Sequence, residues 1–100
     1  MEGIEHDNVA GELRASITQA DLTILEVVNR RVELVRRLRE HKLSRGYPMV
    51  DPGREQWLVN YLRDTNQGPL SDDGVRALAE RVIELTKNEV YVGRPESAEG

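Results

Sequence analysis

The sequence predicts an all-α protein of three helices, one long and two shorter, whose long helix needs a further copy to cover its apolar stripe. Three observations predict it. Residues 13–42 contain no Pro and no Gly, and Leu13, Ile17, Ala20, Ile24, Val28, Val35 and Leu38 recur at spacings of three and four or their sums. At about 100° per residue these positions form one apolar stripe on a helix. Two later stretches carry helix start signals followed by the same periodicity. Finally, 100 residues with 38% apolar and 32% charged composition, four aromatic residues and no Phe make one domain with a thin core. A helix of about 30 residues with a long apolar stripe cannot fold back on itself, so it needs a partner.

Taken in order, residues 1–8 are acidic and polar and are expected to fray. Asn8 is a candidate cap for the long helix. Gly46 and Pro48 in SRGYP end it. Asp51-Pro52 opens the second helix, because Asp is a good N-cap and Pro suits the first helical position. On that helix Glu55, Leu58 and Leu62 share a face, with Arg54 and Tyr61 beside it. The turn NQGP at 66–69 precedes a third helix capped by Ser71 or Asp72. Val75, Leu78, Ala79, Val82, Ile83, Thr86 and Val90 make its inner face, with Glu89 at the edge. The helical domain is thus read as residues 9–91. Residues 92–100, VGRPESAEG, read as a disordered polar tail.

The bulk numbers exclude several function classes. A net charge of −4 gives no global case for nucleic acid or an anionic membrane. The basic run Arg36, Arg37, Arg39, Lys42 and Arg45 is interleaved with Glu33 and Glu40, which reads as a solvated face. It also lies where cations complement a helix dipole. The absence of cysteine fits a reducing compartment, read here as the cytoplasm. No signal peptide is visible, and no apolar run is long enough to span a membrane. Two His and no Cys offer too few ligands for a metal site. There is no phosphate loop, nucleophile elbow or paired-Cys signature.

What remains is charge placed where apolar residues belong. Arg31 falls on the stripe between Val28 and Val35, and Lys42 follows Leu38. Being eleven residues apart, they leave the helix within roughly 20° of each other, with Cα atoms roughly 16 Å apart. A buried cation is costly unless paired. One reading pairs Arg31 with a carboxylate such as Glu84 and lets Lys42 snorkel at the helix end. The other has both cations hold a small anion. Without a nucleophile–base pair, any chemistry must come from cations, a carboxylate and hydrogen-bond donors.

At this point the pattern resembles a family. Leu13-Arg14, Ile17 and Asp21, then Arg31 and Lys42, then Asp51 and Arg54-Glu55, then Thr86, look like the all-helical chorismate mutases. The likeness covers roughly residues 10–91 and includes the loop GYPMVDPGRE and the turn NQGP. It implies an intertwined homodimer, with Arg14 of the partner subunit completing each site. Arg14 lies about 100° around the helix from Arg31, which fits service to the neighbouring subunit. It also implies that Arg14 and Arg31 bind two carboxylates, Lys42 donates to an ether oxygen, and Glu55 accepts from a ring hydroxyl. The Asp51 backbone would help hold that hydroxyl, Arg54 would support the carboxylate end, and Thr86 takes the place of the usual serine.

The implied reaction is the pericyclic rearrangement of chorismate to prephenate, a step of aromatic amino acid biosynthesis that needs no cofactor. One departure stands out. The family usually has Gln or Glu four residues after the hydroxyl residue, as a second donor to the ether oxygen. Here that position is Val90, preceded by Glu89, which reaches inward if the helix end is rewound. The departure leaves open a related substrate such as 4-amino-4-deoxychorismate, dependence on a regulatory partner enzyme, or a helical dimer with weak catalysis that serves as an interaction module.

Overall fold

The computed structural model describes residues 7–49 and 51–92. The frayed start expected over residues 1–8 and the tail expected over 92–100 lie almost wholly outside them. Every element among the described residues is helical. The order is α1 (Asn8–Arg45), α2 (Pro52–Thr65) and α3 (Asp72–Lys87), followed by a π-helical turn (Asn88–Val92). The described residues fall into two compact units, one up to Arg31 and one from Val32 onward, and α1 supplies residues to both.

In the first unit, α1 is capped by Asp7 rather than Asn8. Asp7 Oδ1 accepts from the backbone N–H groups of Val9 at 2.9 Å and Ala10 at 3.1 Å. A carboxylate can satisfy two of the orphan N–H groups of a first turn. Asn8 is the first helical residue instead. The apolar stripe is present but uncovered in a single chain. Leu13 and Ile17 are each 59% exposed and Ile24 is also exposed, as are Leu22, Leu25 and Val27 off the stripe.

In the second unit, α1 continues from Val32, which is buried, to a stop at Gly46. Gly46 has φ +72°, the left-handed geometry a helix C-terminus favours and a side chain resists. Tyr47 N–H donates back to the Lys42 carbonyl at 3.0 Å. Asp51 then caps α2 as the sequence predicts, its side chain accepting from Arg54 N–H at 3.0 Å, with Pro52 at the first helical position.

The 66–69 turn is also where expected. Asn66 Nδ2 donates to the Leu70 carbonyl at 2.8 Å and Gly68 has positive φ. Ser71, not Asp72, caps α3 through Gly74 N–H at 3.0 Å. The two short helices pack on each other.

Val32, Val59, Val75 and Ala79 form the buried apolar core, joined by Thr86 at 2% exposure. Two expectations shift. On α2 the buried position is Val59, while Leu58 is half-buried and Leu62 exposed. On α3 Leu78 is 53% exposed. Leu78 lies about 100° around the helix from Ala79, and the buried face centres on Val75, Ala79 and Thr86.

Candidate functional site

Lys42, Asp51 and Glu55, all in the second unit, lie around the start of α2. Lys42, in the last turn of α1, is half-buried and its Nζ donates to the Met49 carbonyl at 3.2 Å. It lines a cavity of about 460 Å³ with Tyr47, Pro48, Asp51 and Pro52. The loop after Gly46 thus bends back so that the Lys42 ammonium and the N-terminus of α2 face one space. A helix N-terminus favours an acceptor or anion, and so does an ammonium.

Pro52 also borders a second cleft of about 490 Å³, between α2 and α3. Glu55, Gln56 and Val59 form its α2 wall, and Ile83, Lys87 and Asn88 lie on the other side. Glu55 Oε2 is 2.7 Å from Lys87 Nζ, and the two side chains are 33% and 39% exposed. Sequence reasoning did not single out Lys87. The missed signal was its position four residues after Ile83, next to Thr86, which puts a cation on the flank of the inner face.

Other predicted residues are placed differently. Thr86 is within the core, and its hydroxyl donates to the Val82 carbonyl at 2.8 Å. Arg54 is exposed, with its guanidinium 4.2 Å from the centroid of the Trp57 ring. Trp57 in turn stacks on Tyr61, centroids 4.9 Å apart. A planar guanidinium is suited to such a perch, which leaves its edge N–H groups available. Glu84, considered as a partner for Arg31, is 2.9 Å from Arg81. In the first unit, Arg14 is exposed and Arg31 half-buried.

Glu89 and Val90 both fall in the π-helical turn and both are half-buried. The rewinding considered from the sequence is therefore present. A π turn adds a residue to each hydrogen-bonded loop and shifts the facing of every residue within it. Tyr91, in the same turn, lies under the Arg39 guanidinium at 5.9 Å, and Arg39 Nε is buried with no hydrogen-bond partner among the described residues.

Among the described residues, no group of three or more His, Cys, Asp or Glu is arranged to hold a metal ion. No described helix is long and apolar enough to cross a membrane. The site offers cations, a carboxylate and a helix N-terminus. Such a set binds and polarises a small anionic ligand.

Residues 13–91 match the profile of the family described as chorismate mutase type II. A 4-amino-4-deoxychorismate mutase from Streptomyces venezuelae is 34% identical over 68 residues, covering 68% of this chain and 62% of that protein. The chain therefore spans under two thirds of that curated relative. Two solved structures of chorismate mutase from Thermus thermophilus are similar in fold. Form I has a TM-score of 0.74 at 28% identity, over 76% of this chain and 95% of that one. Form II has a TM-score of 0.75 at 26% identity, over 79% and 90%.

Proposed function

The chain belongs to the chorismate mutase type II family, and from that premise we propose that it rearranges chorismate to prephenate. The observation that carries the reading is the half-buried Lys42 ammonium facing the N-terminus of α2, with Glu55 one turn further along that helix. In this reaction a C–O bond of the enolpyruvyl ether breaks while a C–C bond forms. All atoms stay in one molecule, and no proton or electron is exchanged with the protein. The protein's work is to hold the folded conformer and to stabilise charge as it separates.

Each residue has a part in that work. Lys42 donates to the ether oxygen, where negative charge grows. Arg31 and the arginine at position 14 of a second copy bind the two carboxylates, with bidentate geometry that guanidinium planes suit. Arg54, steadied on Trp57, supports the carboxylate end. Glu55 accepts from the substituent at ring position 4, helped by the Asp51 backbone. Thr86, in the place of the family's usual serine, borders the substrate from the end of α3, its hydroxyl donating to the Val82 carbonyl. Val90 and Glu89 border the ether oxygen.

The exposed stripe of Leu13, Ile17 and Ile24 supports an intertwined homodimer in which two copies bury it. A cytoplasmic enzyme of aromatic amino acid biosynthesis is part of the same proposal, and the cysteine-free composition is compatible with a reducing compartment. A second reading, a mutase of 4-amino-4-deoxychorismate, is supported by the Streptomyces relative. The experiment is incubation of the purified protein with chorismate, and separately with the amino analogue, following loss of substrate absorbance. Turnover of chorismate supports the first reading, turnover of the analogue alone supports the second, and turnover of neither overturns both.

A further inference from the structure

Among the described residues lining the α2–α3 cleft, Lys87 is the single cation, and it sits 2.7 Å from Glu55 Oε2. The other charged lining residues are all acids: Glu55, Glu80 and Glu84. An acid-rich wall repels the carboxylates of a dianion. It suits the end of a ligand that brings hydrogen-bond donors or positive charge. That end of chorismate is the ring substituent at position 4, a hydroxyl, replaced in 4-amino-4-deoxychorismate by an amine that is protonated at neutral pH.

Resting on the mutase reading, in which Glu55 accepts from that substituent, we propose that Lys87 is a specificity residue that favours a neutral hydroxyl over a charged amino group at ring position 4. An ionised carboxylate has about four lone-pair sites on two oxygens, so pairing with one ammonium leaves acceptors for a hydroxyl donor. A second ammonium meets a different field. It is drawn to Glu55 but repelled by the Lys87 charge a few ångströms away. The hydroxyl, carrying no net charge, feels little of that repulsion. Specificity here is a built-in repulsive element against the analogue more than an added attraction for chorismate. Because both side chains are about one-third exposed, solvent screens the interaction and the bias is modest.

The test is a charge series at position 87 in the full chain: Lys87→Arg, Lys87→Met and Lys87→Glu, each checked for helical content by circular dichroism. The readout is kcat/KM for the amino analogue divided by kcat/KM for chorismate. The ratio should stay near wild type in Lys87→Arg. It should rise about two- to fivefold in Lys87→Met and further in Lys87→Glu, and the differences should shrink at high salt. A merely structural role would lower both rates without ordering the ratio by charge. Wild-type turnover with a ratio that does not follow the charge at position 87 overturns this proposal alone. A wild type that turns over neither substrate overturns the mutase reading, and this proposal with it.

Discussion

Lys87 Nζ lies 2.7 Å from Glu55 Oε2, so an ion pair ties the last turn of α3 to the first turn of α2. It bridges two helices that already pack on each other through buried Val59, Val75 and Ala79. An ion pair this accessible contributes little to folding, because desolvation is partial and two long side chains must be ordered. Lys87→Met should therefore lower stability by no more than about 1 kcal/mol, read by thermal unfolding at low and high salt. A loss of several kcal/mol would make the pair a fold determinant instead.

Lys42 connects the end of α1 to the loop before α2 through the Met49 carbonyl. Lys42→Ala should remove most turnover, by a factor of about 10² to 10³, the usual cost of losing a donor aimed at developing charge. Arg31→Ala should fall in the same range. The sequence alone suggests that removing either cation leaves stability unchanged or higher. The Met49 bond changes that expectation for Lys42, whose loss should cost about 1 kcal/mol as one part-buried hydrogen bond disappears. Steady-state kinetics and denaturant unfolding on the same preparations check both. Wild-type turnover in either variant would remove it from the site.

Much of this was legible in the sequence because it is local. Asp51-Pro52, Ser71 and Gly46 act within three or four residues of themselves, and each caps or stops a helix where its chemistry predicts. Lys42 and Asp51, joined by a short loop, also line one cavity. The Glu55–Lys87 pair joins positions 32 residues apart by number, and helical periodicity within one segment says nothing about which side chains meet across two. Periodicity puts Thr86 on the inner face, where it is buried, but does not say whether such a hydroxyl faces a ligand or its own helix. It donates to Val82, four residues back. The π-helical turn has no period-3.6 signature, so the facing of Glu89 and Val90 was open.

The cap at Asp51 separates two roles that one residue can play. Its Oδ1 accepts from Arg54 N–H, while the proposed part in binding belongs to the backbone. Asp51→Asn keeps an acceptor for the cap and should leave turnover and stability close to wild type. Asp51→Ala should cost about 1 kcal/mol, and turnover should fall because the α2 N-terminus that carries Arg54 and Glu55 loosens. Equal loss of turnover in both variants, with Asp51→Asn stable, would show that the carboxylate charge itself acts on the substrate.

The exposed stripe of α1 sets up a test of both assembly and site. Sedimentation at micromolar concentration should give one species of twice the 11.4 kDa chain mass, and Ile24→Glu should dissociate it. If residue 14 serves the neighbouring subunit, Arg14→Ala and Lys42→Ala are each inactive alone but complement when mixed and re-associated. Half of randomly mixed dimers are mixed, and each has one intact site, so about a quarter of wild-type activity should return. A fully helical monomer, or no recovery on mixing, would end the intertwined reading.

The last prediction concerns the π-helical turn. Val90 stands where a second donor to the ether oxygen is expected, and a valine side chain offers none. Glu89 beside it is an acceptor only when ionised, so it cannot replace that donor as a carboxylate. Both side chains are half-buried in a turn whose wider winding changes their facing. Val90→Gln adds an amide donor at the family position and should raise kcat with chorismate by about tenfold, a fraction of what a well-aligned donor supplies. KM should change little if the new bond forms mainly in the transition state. Glu89→Gln also adds an amide donor, one position earlier, and should raise kcat much less because it faces differently. If Glu89→Gln gives the larger gain, the π turn has moved residue 89 into the donor position. If Val90→Gln instead lowers chorismate turnover while sparing the amino analogue, the space beside Val90 is shaped for the analogue. The choice of substrate would then lie with the end of the helix rather than with Lys87.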